Sequence, residues 1–396
     1  MDWPAHTSQT RPWRSQGRSG NREDRTLTDV TMTIPPTISH LDYTAAGDVA
    51  RLHEDAIIAV ARLEAGFGQH LAPLADFLLR SESVASSKIE HVDADWRGFA
   101  KAITGAKTSD NARSQLAATR ALSSLTTTAG DGPITLAAVL NAHRHLMEPD
   151  YYNARDAGNL RTVQNWIGGS DFTPIDAMFV PPPPDLVPGL MDDLMDFVNR
   201  SDLPTIAQAA IAHAQFLSIH PFTDGNGRIG RALISAVLRR RGLTRRITVP
   251  LASVMLADTG RYFDHLTAYR DGDADRFVRY VAGATVIASE AAEVSAASLA
   301  ELPARWHTAA APRANSADKK LLRALLDTPI FDAATAVRIT GTSEPSTYKA
   351  LDRLTEAGIL EVVSSARRNR IWAAIDVIVE LDTLSATIGR RTKSTQ

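Results

Sequence analysis

Apolar positions Leu52, Ala56, Val60 and Leu63 recur at i, i+4, i+8 and i+11, the spacing of one face of a helix. The same period predicts helix over much of residues 45–127, including segments at 72–79 and 84–90. Another helix is expected at 136–146, after the turn Gly130-Asp131-Gly132-Pro133. Residues 153–184 break the pattern with Gly158, Gly168, Gly169 and the run Pro181-Pro182-Pro183-Pro184. Such a run fits neither a helix nor a central strand. A short hairpin at 163–169 and an extended strut are expected instead. Helices resume at 186–199, 205–219, 227–241, 260–270 and 274–298, the third ending in Arg239, Arg240 and Arg241 before Gly242, a favourable helix C-terminus. Residues 302–314 read as a linker. Helices follow at 318–326, 333–339 and 345–357, then strands at 360–363 and 370–373 joined by 364–369. Three helices and a two-stranded wing are winged-helix order.

Composition narrows this picture. A chain of 396 residues exceeds one ordinary core, and 44% hydrophobic with 22% charged residues is a globular balance. The net charge of −2 supplies no global basic field, so any nucleic-acid surface is a local patch. Absence of cysteine excludes disulfides and cysteine zinc sites and fits a reducing cytoplasm. No apolar run approaches the ~20 residues that span a bilayer, so no membrane partner is expected. The first 31 residues mix Arg, Ser, Asp, Gly and Pro without a signal-peptide core, which suggests disorder and makes Met32 a candidate start.

Chemistry concentrates in His220 to Arg231, HPFTDGNGRIGR. Pro221 should end the preceding helix at His220. Asp224, Gly225, Asn226 and Gly227 form a tight loop into a new helix whose first N–H groups make an anion nest. Arg228 and Arg231, three apart, share one face and suit a polyphosphate. Asp224 is a hard oxygen ligand for a phosphate-bridging Mg²⁺, and His220 is a base near neutral pH. These are the parts of a phosphoryl-transfer site.

The segment resembles the signature of the Fic family, His-Pro-Phe-x-Asp-Gly-Asn-Gly-Arg-x-x-Arg, at every defining position. The resemblance implies a protein adenylyltransferase that moves AMP from ATP to Ser, Thr or Tyr hydroxyls of proteins, itself included. His220 would take the hydroxyl proton, Phe222 would anchor the loop and Asp224 would hold Mg²⁺. Gly225, Asn226 and Gly227 would cradle the phosphates with Arg228, Ile229 and Gly230, and Arg231 would meet the γ-phosphate. Ala212-His213-Ala214-Gln215-Phe216 looks like the family's lead-in, except that Leu217 stands where an acidic residue is usual, at the nucleotide pocket wall. His213 reads as a packed histidine. Asp258 and Tyr262 resemble the adenine side.

Ser86-Ser87-Lys88-Ile89-Glu90 resembles the family's inhibitory motif, in which Ser86 and Glu90 mark a helix whose carboxylate pairs with Arg231 in place of the γ-phosphate. His91 departs from the usual Gly or Asn after that Glu. Arg161, Gln164 to Gly169 and Phe179 to Pro183 resemble the flap that adds a target peptide as a strand. The implied fold is mostly α, a Fic helical core with a small β-hairpin flap and a C-terminal winged helix-turn-helix domain. The expected domains are a disordered extension (1–33), an N-terminal helical region with the inhibitory helix (34–130), the Fic core (131–300), a linker (301–315), the winged helix (316–385) and a disordered tail (386–396). DNA is a possible partner through Ser346, Lys349, Arg353, Arg367, Arg368 and Arg370, and a homodimer is a further expectation. Two other readings stay open: a Fic enzyme that uses another nucleotide donor or removes AMP, and a DNA-binding regulator whose Fic core senses a ligand.

Overall fold

The computed structural model describes every residue except 1–2, 14–19, 46, 67–70, 151–152, 365–369 and 395–396. Its elements run β1 (Thr7–Pro12), α1 (Arg22–Thr26), β2 (Asp29–Ile34), α2 (Gly47–Ala65), α3 (Leu71–Ile89), α4 (Trp96–Ile103), α5 (Asp110–Asp131) and α6 (Leu136–Met147). Next come α7 (Val187–Val198), α8 (Thr205–Ile219), α9 (Asn226–Arg240), α10 (Leu251–Ala257), α11 (Thr259–Arg270) and α12 (Ala274–Ala310). The chain closes with α13 (Ala317–Ala324), β3 (Ile330–Asp332), α14 (Ala333–Thr340), α15 (Glu344–Glu356), β4 (Leu360–Val362), β5 (Ile371–Ala374) and α16 (Ile375–Ser394). The protein is mostly α, as its periodicity predicts. No described helix is long and apolar enough to cross a membrane.

Two compact units interleave along the chain. The first comprises residues 1–57, 120–243 and 259–283. At its centre is α8, buried on all sides from Ile206 to Ile219. A helix apolar around its whole circumference belongs inside a core. Helices α6, α7, α9 and α11 pack around it or its immediate neighbours, α9 most closely. The N-terminal strands add an antiparallel ribbon registered from Thr7 opposite Ile34 to Pro12 opposite Asp29. The Thr33 N–H donates to the Val180 carbonyl at 2.8 Å, so the ribbon docks on the proline strut. Val30, Met32 and Val180 form a small core there, with Trp13 and Trp166 against it.

The second unit comprises residues 58–119, 244–258 and 284–396. An antiparallel sheet of order β3-β5-β4 lies beside α13, α14 and α15. Ile330, Val363, Ile371 and Ile378 share a core with Ala100 of α4. Helices α3, α10 and α16 pack on one another. Trp372 stacks against Phe331 and meets Tyr348 edge-on.

Several expectations change. The supposed disordered extension (1–33) holds β1, α1 and β2, because Trp3, Val30 and Met32 find apolar partners and Asn21 caps α1. The segments at 72–79 and 84–90 are one helix, α3. The linker at 301–315 is largely the end of α12, which continues through Pro303. Burial of Leu299, Leu302 and Trp306, with the Trp306 Nε1–H bonded to Asp376 at 2.7 Å, offsets the proline's cost of about 3 kcal/mol. The tail (386–396) is helical to Ser394, since Leu384 and Ile388 are fully buried. No named strand forms at 163–169. The flap is a loop pinned by an isolated antiparallel bridge between Ile167 and Phe179. Its glycines Gly168 and Gly169 have positive φ, and backbone bonds tie Ile167 to Met178 and Phe179 and Ser170 to Ile175. The contiguous domains expected at 34–130 and 131–300 do not coincide with the two interleaved units.

Candidate active site

Helix α8 stops at His220 because Pro221 follows. The histidine takes the left-handed conformation, φ 50° and ψ 60°, and its N–H closes the last turn on the Phe216 carbonyl at 2.9 Å. Left-handed backbone at a residue with a side chain costs on the order of 1–3 kcal/mol, and it recurs at functional positions. Here it turns the chain sharply from α8 into the loop.

The loop is fastened from inside. Asn226 accepts from the Phe222 N–H at 2.8 Å and donates to the Phe222 carbonyl at 2.8 Å. The Phe222 ring is fully buried and lies flat on His143, centroids 3.7 Å apart and planes 2° apart. His143 Nδ1 accepts from the Gly158 N–H at 2.9 Å, so its Nε2 carries the proton and donates to the Asp224 carbonyl at 3.1 Å. Burial draws the His143 pKa down to about 4, which keeps that ring neutral. Gly225 caps α9 at φ 79°, where a Cβ would lie 2.9 Å from Leu146 Cδ2.

The N-terminus of α9 then presents its N–H groups beside Arg228 and Arg231, both buried. Arg228 lies 3.8 Å from Asp224, whose carboxylate is half exposed. Asn153 donates to the same carboxylate at 3.4 Å. Ile229 is buried within α9. A Cβ on Gly230 would meet Leu217 and Phe216 at 3.1 Å and His213 at 3.2 Å, so this glycine lets α8 and α9 approach. Leu217 is therefore part of that helix crossing.

His220 is mostly buried. Asn165 Nδ2 donates to its Nδ1 at 2.9 Å, and Asn226 Nδ2 lies 3.3 Å from the same nitrogen. Both amides present N–H, so the neutral ring carries its proton on Nε2. Burial depresses the His220 pKa to about 3, and Arg161 and Arg270 push the same way. Arg161 is buried and spends its fork on backbone carbonyls, Nε to His220 at 2.8 Å and Nη2 to Pro182 at 2.5 Å. Arg270 lies 3.6 Å over the Phe179 ring.

Of the residues the motif nominates, the first unit brings together His220, Phe222, Asp224 to Arg228 and Arg231. Tyr262 is fully buried with its hydroxyl 2.9 Å from His213 Nε2, which makes it a core residue. His213 is likewise buried, packed near Tyr262 and Phe277. Asp258 belongs to the second unit, as do Ser86 and Glu90 at the end of α3. Sequence reasoning missed His143, Asn165 as a ligand of the His220 ring, and Asn153. Only Asn165 carried a signal, its place in the flap pattern.

Residues 133–238 match the family model described as Fic/DOC family. The chain is 32% identical over 152 residues to protein adenylyltransferase fic-1 of Caenorhabditis elegans, covering 38% of this chain and 27% of that protein. It is 32% identical over 155 residues to protein adenylyltransferase Fic of Nematostella vectensis, covering 38% of this chain and 32% of that protein. It thus spans about a third or less of the length of these curated relatives. A Fic family protein from Desulfovibrio desulfuricans superposes with a TM-score of 0.55 at 21% identity, over 84% of this chain and 97% of that one. A Fic domain containing signaling protein from Bacteroides thetaiotaomicron gives 0.50 at 22%, over 64% and 97%. The stretch at residues 133–238, which carries the complete motif, is thus similar to the Fic/DOC family.

Proposed function

We propose that the chain is a restrained protein adenylyltransferase that transfers AMP from ATP to hydroxyl groups of proteins, including its own. The observation that carries this reading is the ring of His220 beside an anion nest flanked by two buried arginines. A target hydroxyl oxygen attacks the α-phosphorus, the bond to the β-phosphate oxygen breaks, and pyrophosphate leaves. The hydroxyl proton passes to His220 Nε2. The α9 N–H groups, Arg228 and Arg231 neutralise the phosphate charge. Asp224, half exposed at the nest's mouth, is a hard oxygen donor that fits Mg²⁺ shared with phosphates, and that ion would add further positive charge there.

Restraint has support of its own. In the resting arrangement Nε2 of His220 holds a proton, and a base needs that nitrogen free. Nucleotide or target binding has to draw the Asn165 and Asn226 amides from Nδ1 so that the proton can move there. The likeness of Ser86 and Glu90 to the family's inhibitory pair points the same way. Exposed Val163, Ile167, Phe172 and Met178 on the flap favour docking of a target segment there.

Incubation with labelled ATP and Mg²⁺ tests the reading. Self-labelling should rise in Glu90→Gly and vanish in His220→Ala. Equal labelling of all three proteins would overturn it. Labelled UTP, GTP and CDP-choline in parallel would reveal another donor, and loss of label from pre-modified protein would reveal AMP removal.

Residues 317–374 follow the order helix, strand, helix, helix, strand, strand, and we read them as a winged helix. Ser346 and Lys349 are exposed on α15, but Arg353 is tied to Asp318 at 2.8 and 3.0 Å, which thins the basic face. Arg367 and Arg368 lie outside the described residues. DNA binding therefore draws less support than a role in protein contacts, and a gel-shift titration with salt decides between them.

A further inference from the structure

The second unit contains a cavity of about 430 Å³ that the transfer chemistry does not use. That lies within the roughly 300–1,000 Å³ typical of small-molecule sites. Its walls are chiefly apolar, among them Phe77, Phe99, Leu256, Leu299, Ile378 and Leu381. Such walls favour an apolar body.

Three polar groups depart from that pattern. Arg80 lines the cavity, and among the described residues no hydrogen bond or ion pair engages its guanidinium. Asp76, the one carboxylate that acts on it, is exposed at the rim. Ser81 Oγ and Gln115 Oε1 are buried without hydrogen-bond partners, although Gln115 donates from Nε2 to the Val92 carbonyl at 3.2 Å. Buried polar atoms left unpaired are destabilising, so a ligand that pairs them recovers that energy. The other charges on the wall are engaged or outward. Lys88 pairs with Asp93 at 3.4 Å, Asp95 caps α4 through the Gly98 N–H at 2.6 Å, and Asp382 is exposed. Arg80 is thus the one wall cation without a partner carboxylate among the described residues.

We infer that this cavity is a binding site for a small amphipathic carboxylic acid that carries a hydroxyl or amide N–H donor. Its carboxylate accepts from Arg80 and Ser81, its donor reaches Gln115 Oε1, and its apolar chain lies among the phenylalanine and leucine side chains. A guanidinium in an apolar wall selects a planar anion over a cation or a neutral polar head. Arg80, Ser81, Val84, Ala85 and Lys88 line the cavity from successive turns of α3, the helix whose end carries Ser86 and Glu90. Binding there stands apart from the transfer reaction and is read without it.

Calorimetric titration of the full chain with 3-hydroxydecanoate, below its micelle concentration, tests this. Saturable one-site binding is expected, with decane-1,3-diol and decylamine at least about tenfold weaker, the worth of a charge-assisted hydrogen bond. Arg80→Gln should lose a similar factor and Arg80→Lys should restore part of it. Thermal melts of both variants show whether they are folded, and the comparison of ligands on the unaltered protein stands without them. Absence of saturable binding overturns the inference. So does equal binding of the diol or the amine, or undiminished binding by folded Arg80→Gln.

Discussion

The guanidinium of Arg161 donates from Nε to the backbone carbonyl of His220 at 2.8 Å. The same side chain reaches Pro182, Val163 and Ile219 carbonyls, at 2.5, 3.2 and 3.4 Å. One buried residue thereby ties the flap, the proline strut and the turn after α8. Burial lowers its pKa to about 10, which still leaves it charged at neutral pH.

Arg161→Lys should separate positioning from charge. Lysine keeps the positive charge but cannot span four carbonyls with a planar fork. Self-labelling should fall at least about tenfold, as expected when positioning groups shift by an ångström. The His220 ring should also become more mobile in NMR spectra. Unchanged labelling would remove Arg161 from the positioning of the site.

Histidine burial sets a pH dependence of stability. His143, His213 and His220 have pKa values lowered to about 4, 3 and 3, chiefly by burial. Above the ordinary value of 6.5 neither folded nor unfolded chain binds these protons, so the contribution is fully present. As pH falls below 6.5 the unfolded chain takes up protons that the folded one refuses, and stability declines toward pH 4. One such histidine accounts for about 2 kcal/mol between pH 6.5 and 5. Melting temperatures at pH 7.5 and 5 should show the loss, with a smaller drop in His213→Phe. Equal drops would contradict the assignment of that burial.

Gly230→Ala probes the crossing of α8 and α9. Its new Cβ would press on Leu217, Phe216 and His213 at 3.1–3.2 Å, all of them buried. Overpacking of this kind costs about 1–3 kcal/mol, more than the helix gains from alanine. The melting temperature should drop while nucleotide affinity of the folded protein holds. A stable variant with weakened nucleotide affinity would instead make Gly230 part of the phosphate cradle.

The N-terminal ribbon has a part in the flap. Asp24 accepts from Ser170 Oγ and Thr173 Oγ1, each at 2.6 Å, and these bonds lower its pKa. Asp24→Ala leaves two hydroxyls without that acceptor and loosens the tie between α1 and the flap. Limited proteolysis should then cut within residues 163–179 faster than in the unaltered protein. Deletion of residues 1–31 should do the same and more, because β2 loses half its length. Unchanged cutting would mean that the ribbon does not hold the flap.

The sequence made the motif legible because its parts are contiguous. Pro221 marked the end of α8 at His220, and the glycines marked the nest. What fastens the motif was hidden. His143 reaches Phe222 across 79 residues, and nothing local in Asn141-Ala142-His143 announces that stack. Arg161 was visible as part of the flap pattern, but its bonds to four carbonyls depend on where the strut returns. Pro303 and the polar stretch after 386 read as breaks because local propensity was weighed without the apolar partners that Leu302, Trp306, Leu384 and Ile388 find. Early polar composition likewise masked β1 and β2, whose pairing is long-range.

The central claim is nucleotide transfer with His220 as base. Mass spectrometry of Glu90→Gly after incubation with ATP and Mg²⁺ tests it most directly. The account predicts an adduct of one AMP on a Ser, Thr or Tyr, absent when His220→Ala is added. Contradiction would come from an adduct that persists without His220, or from no adduct on the protein or on added cell proteins.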